Sequence, residues 1–357
     1  MDLIQLNKTN MKLVLTPSLI QKLVTFKSDR LYSIAKNSIM PCIWALTFII
    51  ASVSVVPATA QESEDTRTVL ITGTSSGIGL RMTELLSQNG FFVYAGVRSV
   101  EDFTRLNAME NVQAVQLDVT IQSEIEAAEE FIHSEGKGLY GLINNAGVAV
   151  MGPLIEISEE NMDFQLDVNL FGPYRITKAF ANLLIESEGR IMTVSSISGI
   201  LSGQLLGAYS MSKHGVEAYT DALAAELEQF NVEVAAVEPG NYKSQILLTM
   251  INRMKANGYT AENSKYGSVI EMMERGGASD RSQYNEPDDV AQAALHFLTS
   301  DTPKRRYMVV PNQREAEITI RQMLRELVQL NEEQPFSYSR DELVDMLDQT
   351  LGKTPKK

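Results

Sequence analysis

Thr72-Gly73-Thr74-Ser75-Ser76-Gly77-Ile78-Gly79 joins a short apolar run, Thr68–Thr72, to a helical pattern that lasts until Asn89-Gly90. Glycine at these positions permits a tight turn and lets the backbone approach a pyrophosphate, whose charge the amides and positive dipole end of the helix N-terminus stabilise. The spacing, Gly-x-x-x-Gly-x-Gly, is one residue longer than the Gly-x-Gly-x-x-Gly dinucleotide fingerprint. Alone, a glycine turn between strand and helix is also an ordinary structural feature. Its surroundings decide.

The alternation of strand and helix continues to Pro311. Strand candidates are Thr68–Thr72, Phe92–Val97, Gln113–Val119, Gly141–Asn144, Arg190–Ser195, Glu233–Glu238 and Tyr307–Val310, separated by amphipathic helical stretches. These runs are continuously apolar and rich in Val, Ile and Leu, which suits strands buried on both faces. The expected fold is therefore α/β, a doubly wound, Rossmann-type parallel sheet of about seven strands over residues 61–311. Residues 312–357 carry two further helical patterns, a C-terminal extension. In the first, Ile320, Leu324 and Leu327 share a stripe, and the second opens with Ser339 and Glu342 spaced as a capping box.

The chain has 357 residues, 44% hydrophobic and 21% charged, the balance of a globular protein and not of a disordered chain or a many-span transporter. Residues 1–60 carry six Lys/Arg against Asp2 and Asp29, net +4, which leaves −18 on the other 297. An acidic body repels nucleic-acid phosphates, and no basic patch overrides that field, so nucleic acid is not an expected partner. The single cysteine, Cys42, lies in the N-terminal segment, and His133, His214 and His296 are widely separated. Neither a disulfide nor a bound metal is expected in the body.

Ile39 to Val56 is an 18-residue stretch without a charge, preceded by basic residues and followed by Pro57-Ala58-Thr59-Ala60 and then Glu62, Glu64 and Asp65. Residues 1–60 thus read as a signal or anchor region, and the protein as membrane-associated or exported. Ala58-Thr59-Ala60 suits secretory cleavage after Ala60, and about 20 apolar residues also suffice for a retained span. The basic, acid-poor stretch 1–38 fits an organellar transit peptide, and an ordinary buried helix ahead of the domain is the remaining reading.

Tyr209 and Lys213 lie four positions apart in a helical stretch, so their side chains project from one face and the ammonium can lie near the phenol. A free Tyr, with a pKa of about 10, is a poor base at neutral pH; lowering it by roughly three units takes about 4 kcal/mol of phenolate stabilisation. A desolvated Lys beside an oxidised nicotinamide is a source of that stabilisation. Tyr209 would then be the acid or base at a substrate oxygen. An isolated Tyr-x-x-x-Lys is usually an ordinary pair on a surface helix, and the context reverses that.

The glycine turn, followed in order by Asn144-Asn145-Ala146-Gly147, Asn169, Ser196, Tyr209-x-x-x-Lys213 and Pro239-Gly240, resembles the short-chain dehydrogenase/reductase family over about residues 66–311. The stretches 138–147 and 213–219 look most like the branch containing retinol, hydroxysteroid and 3-hydroxybutyrate dehydrogenases. The resemblance implies an NAD(P)-dependent oxidoreductase interconverting an alcohol and a carbonyl, with Asn169, Ser196, Tyr209 and Lys213 as its catalytic set. Ser196, 13 residues before Tyr209, would hydrogen-bond the reacting oxygen, and Asn169 would bend a helix around a water and link Lys213 to solvent. The cofactor contacts it implies are Gly73, Ser75, Ser76, Gly77, Ile78 and Gly79 in the turn, Asp118 at the adenine with Val119 beside it, and Asn145, Ala146, Gly147, Tyr209 and Lys213. Pro239 and Gly240 would form the nicotinamide-side turn. The family's usual downstream Thr is absent from Asn241-Tyr242-Lys243-Ser244, where Ser244 keeps a hydroxyl. A homodimer or homotetramer is the expected assembly.

At the end of the second strand, Ala95-Gly96-Val97-Arg98-Ser99 has no acid to accept a ribose 2′-hydroxyl, and Arg98 can pair with a 2′-phosphate. NADP is therefore expected over NAD. Residues 243–286, where this family shapes its substrate pocket, contain Ile246, Leu247, Leu248, Met250, Ile251, Met254, Ile270, Met272 and Met273. Such flexible apolar side chains suit a lid over an apolar ligand, or equally a helix packed on its own domain. The expected substrate is an apolar alcohol or carbonyl of steroid or retinoid size. A 3-hydroxy acid is the alternative, with Lys243 as the nearby cation for its carboxylate. A catalytically silent dinucleotide-binding regulator, and a protein whose C-terminal helices recruit a partner, are the rival function classes.

Overall fold

The computed structural model describes residues 67–277 and 284–352, all within the compact unit Asp65–Lys357. The apolar stretch 39–56 and the rest of the expected targeting region lie outside the described residues.

Strands β1 (Thr68–Thr72), β2 (Phe92–Val97), β3 (Val112–Gln116), β4 (Gly141–Asn144), β5 (Arg190–Val194), β6 (Glu233–Pro239) and β7 (Arg306–Val309) form one sheet in the order β3-β2-β1-β4-β5-β6-β7. Every neighbouring pair is parallel. The helices are α1 (Gly77–Gln88), α2 (Val100–Leu106), α3 (Gln122–Ser134), α4 (Glu159–Leu166), α5 (Gly172–Glu186), α6 (Gly207–Leu227), α7 (Ile246–Ala256), α8 (Gly267–Gly277), α9 (Asp288–Thr299), α10 (Gln313–Asn331) and α11 (Arg340–Thr350). A π-helical turn, Asp167–Phe171, separates α4 from α5.

The continuous apolar runs follow from this layering. Val69 and Ile71 of β1 join Met82 and Leu86 of α1 and Val290 and Ala294 of α9 in one buried cluster. Leu70, pointing to the other face, joins Ile125 and Ile132 of α3 and Ile176 and Phe180 of α5. Neither face of the central strands meets water, so neither can alternate. The strand order reverses between β1 and β4, which opens a crevice outside their carboxyl ends.

Two local expectations differ. The third strand ends at Gln116 instead of Val119, because Asp118 turns the chain by accepting the N–H of Thr120 at 2.9 Å. The stripe Ile320, Leu324 and Leu327 on α10 remains 45–49% exposed, since Thr319 is the one buried residue of that helix. The capping box at Ser339 and Glu342 forms as expected. Among the described residues no helix is long and apolar enough to cross a membrane.

Candidate active site

The β1–α1 turn is shaped for close approach. Gly73 has φ +70°, and a Cβ there would lie 2.8 Å from the Cα of Ala146. A Cβ on Gly79 would overlap the Gly73 carbonyl and the Asn145 amide. Ser76, the N-cap of α1, makes no side-chain cap, so the amides of the first helical turn keep their capacity for an anion. Those two features fit a dinucleotide pyrophosphate.

Asn145 braces this turn. Its Nδ2 donates to the carbonyls of Thr72 and Gly73, each at 2.9 Å. Thr72 Oγ1 in return accepts the N–H groups of Asn145 and Ala146, each at 3.0 Å. Asn144 is buried instead against α5, where it donates to Thr177 Oγ1 at 3.0 Å.

A cavity of about 460 Å³ runs over the carboxyl ends of the strands. It brings together Gly73, Ser75, Ser76, Gly77, Ile78 and Gly79 with Arg98, Asp118, Val119, Asn145, Ala146 and Gly147. Ser196, Tyr209, Lys213, Pro239, Gly240 and Ser244 line the same space. Asn169 alone of the expected site residues stands behind the wall, 1% exposed, inside the π-helical turn. Its Oδ1 accepts the Val148 N–H at 2.8 Å, and its Nδ2 donates to the Val148 carbonyl at 2.9 Å and to Ser212 Oγ at 3.1 Å. A Cβ on Gly147 would lie 3.5 Å from Asn169 Oδ1 and 3.9 Å from Lys213 Nζ, so this glycine leaves the two side chains in reach of one small space.

Tyr209 and Lys213 project from α6 as their spacing requires. The Lys213 ammonium is buried and donates to the Val194 carbonyl at 2.8 Å. Burial lowers it to about 8. Burial pushes the Tyr209 phenol up, against a hydrogen bond from Ser196 that pulls it down. The protein's own groups therefore do not supply the lowered phenol that the sequence reading asks for, because desolvation outweighs that hydrogen bond. Arg98 reaches Asp118 at 3.6 Å and is otherwise 71% exposed. Withdrawal from water opposes ionisation of Asp118, yet its bonds from Thr120 and the Arg98 charge leave it below the usual carboxylate range.

The described part of residues 243–286 packs on its own domain and also reaches the cavity. Met250, Ile251, Met254 and Ile270 are buried in a third apolar cluster against which Tyr209 packs, while Ile246 and Thr249 line the cavity. Lys243, the cation singled out from sequence, is ion-paired with Glu286 and is not part of the lining. Sequence reasoning missed Thr120, Phe164, Asp167, Thr249 and Arg253, which also line the cavity. Ile246, Thr249 and Arg253 recur at three- and four-residue spacing on α7, a stripe distinct from Leu247, Met250 and Met254. That split of one helix into two faces was the available signal.

A doubly wound sheet with a glycine turn at its switch point, and a Ser, Tyr and Lys beside it, defines an oxidoreductase of the dinucleotide-binding type. Residues 67–254 match the short chain dehydrogenase family, and the chain belongs to the short-chain dehydrogenase/reductase family. It is 34% identical over 245 residues to the Escherichia coli uncharacterized oxidoreductase YbbO, covering 68% of this chain and 85% of that one. It is 33% identical over 261 residues to the mitochondrial D-beta-hydroxybutyrate dehydrogenase of Bos taurus, covering 68% of this chain and 76% of that one. A short-chain dehydrogenase structure from Streptomyces avermitilis superposes with a TM-score of 0.65 at 24% identity, over 76% of this chain and 96% of that one.

Proposed function

We propose that residues 61–311 form an NAD(P)-dependent oxidoreductase domain that interconverts an apolar alcohol and its carbonyl, with residues 312–357 as an added helical extension. The observation that carries this reading is that Ser196, Tyr209 and Lys213 line one cavity together with the glycine turn. A nicotinamide cofactor, when bound, would supply the hydride acceptor or donor and, in its oxidised form, a positive charge at this site. Ser196 and Tyr209 hold the substrate oxygen between them, Tyr209 takes or gives its proton, and Lys213 favours the phenolate once formed. Asn169 fixes Val148 and Ser212 around the π-helical turn and so positions the wall behind Lys213.

Arg98 supports NADP over NAD, because its exposed guanidinium at the end of β2 can take a 2′-phosphate. The apolar cluster around Tyr209 supports a substrate body of steroid or retinoid size. A 3-hydroxy acid is the second reading, favoured by the likeness to D-beta-hydroxybutyrate dehydrogenase. Turnover of alcohols and carbonyls of graded size with both cofactors tests the assignment, and no turnover with any of them would overturn it. The targeting region rests on the apolar stretch 39–56. Fractionation with N-terminal sequencing tests it, with a mature start at Gln61 expected after cleavage and a soluble cytoplasmic protein beginning upstream of Ile39 against it.

A further inference from the structure

The cavity over the strand ends is lined by three basic residues, Arg98, Lys213 and Arg253. Two of them are engaged. Arg98 faces Asp118 at 3.6 Å, and Lys213 donates to the Val194 carbonyl at 2.8 Å. Arg253 is different. Its guanidinium lies over the ring of Phe164, 4.1 Å from the centroid, and its side chain makes no hydrogen bond or ion pair with any described residue. Asp167, the other cavity acid besides Asp118, is bonded to Arg175 at 2.6 Å. In a chain with 45 acidic and 31 basic residues, a guanidinium in a cavity without a carboxylate partner is unexpected.

The contact with Phe164 matters for what Arg253 can do. An aromatic face holds a guanidinium by cation–π attraction, so its donors remain for another partner. Five N–H groups in a planar fork match a carboxylate in two parallel hydrogen bonds. The ring also restricts a long side chain in advance, which reduces the entropy lost when an anion binds. Arg253 stands on α7 in line with Ile246 and Thr249, while Met250 and Met254 on the neighbouring stripe pack in the apolar cluster that holds Tyr209. One helix thus joins a fixed positive charge to the apolar wall of the reaction centre.

We infer that Arg253 receives the carboxylate of the substrate, and that the substrate is an amphipathic hydroxy or oxo acid, with an apolar chain against α7 and α8 and its reacting oxygen at Ser196 and Tyr209. This rests on the oxidoreductase reading and, within it, takes the hydroxy-acid substrate over the uncharged steroid- or retinoid-sized one. It also moves the anion-binding role from Lys243, which Glu286 neutralises, to a residue that no carboxylate neutralises among those described.

The test compares 3-hydroxydecanoate with its methyl ester, which keeps the chain and removes the charge. Both are measured as substrates of the full chain with either cofactor, and by calorimetry as ligands of the enzyme–NADPH complex. The wild type should prefer the acid in both assays. Arg253→Met, which keeps an apolar contact with Phe164, should reduce the acid-over-ester preference at least tenfold, and Arg253→Lys should restore part of it. A wild type that binds the ester as well as the acid overturns the inference. So does an Arg253→Met variant that loses dinucleotide affinity by the same factor, which would assign the guanidinium to the cofactor's pyrophosphate. Acid binding that depends on Arg253 without turnover of any alcohol or carbonyl would sustain the anion site and overturn the oxidoreductase reading instead.

Discussion

The Lys213 ammonium stands 5.7 Å from the centre of the Tyr209 ring, and one cause moves both groups toward neutrality. Burial raises the phenol and lowers the ammonium to about 8. Near neutral pH the pair is therefore a protonated phenol beside a cation that a small pH rise will discharge. That state suits proton donation to a carbonyl oxygen, whereas proton removal from an alcohol needs additional positive charge near the phenol.

Tyr209→Phe keeps the packed ring and removes the proton. Dinucleotide affinity should stay near that of the wild type while kcat falls by roughly three orders of magnitude or more, as expected when the acid–base group is lost. Retention of a tenth of the wild-type rate on a good substrate would refute the assignment. Fluorescence titration of the dinucleotide separates a loss of chemistry from a loss of binding.

Lys213 also makes stability depend on pH with a defined sign. Its folded value, about 8, lies below the 10.5 of a free Lys. Between those values the unfolded chain binds more protons, so stability rises as pH increases from about 8 to 10.5. Below about 8 the cost of burying the charge is present in full. Unfolding free energies measured across that interval should climb in the wild type, and Lys213→Met should lose that part of the slope. An unchanged slope in the variant would show that Lys213 is not the titrating group.

Much of this is legible in the sequence, and the reason is local. The β1–α1 turn, the Tyr209–Lys213 spacing and the unalternating strands are each set by neighbours in sequence, so pattern alone places them. The state of Asn169 was not legible in the same way. Its hydrogen bonds go to Val148 and Ser212, which are 21 and 43 residues away. Arg253 was hidden for a related reason, because its meaning depends on Phe164 from another helix and on the absence of a described carboxylate partner. Lys243 was closer to the site motifs in sequence, and Glu286 removes it from contention. The exposed stripe of α10 shows the converse limit: periodicity identifies an apolar face but does not say what covers it.

Asn169→Ala should cost stability and activity together. It removes the acceptor for the Val148 N–H and the donor to the Val148 carbonyl, leaving buried polar groups unpaired at about 1–3 kcal/mol each. A drop of roughly 2–4 kcal/mol in unfolding free energy is expected. Asn169→Asp retains the acceptor but sets a buried carboxylate oxygen against the Val148 carbonyl, so it should not recover the loss. A variant as stable as the wild type would mean that the π-helical turn holds its shape without this side chain.

Arg98→Ala should weaken NADP by about tenfold or more while changing NAD little, since a charge-assisted bond to a phosphate contributes on the order of 1.5–3 kcal/mol. Only NADP carries the extra phosphate. The pairing with Asp118 at 3.6 Å adds a check: Asp118 should titrate at higher pH once its cationic neighbour is gone. Equal losses for both cofactors would place Arg98 elsewhere than at the 2′ position.

The C-terminal extension reaches the Gly240–Asn241 turn at the edge of the cavity through Glu315, in the first turn of α10. Its Oε2 accepts the Asn241 N–H at 2.8 Å, and a Cβ on Gly240 would overlap that carboxylate. Asn312 holds Glu315 from the other side, with its Nδ2 2.9 Å from Oε1 and its Oδ1 accepting the Glu315 N–H at 3.0 Å. The turn that brings Pro239, Gly240, Tyr242 and Ser244 to the cavity and leads into α7 is therefore clamped by the extension and not only by β6. Glu315→Ala should release that turn and weaken dinucleotide binding by about three- to tenfold, the range of one partly exposed charged hydrogen bond. Glu315→Gln keeps an amide oxygen for Asn241 and should lose less. Deleting 313–357 should weaken the dinucleotide at least as much as Glu315→Ala, because it removes the clamp together with the helix that aims it. A truncated chain that is folded by circular dichroism and binds both cofactors with wild-type affinity would show that the clamp holds nothing the sheet does not already hold.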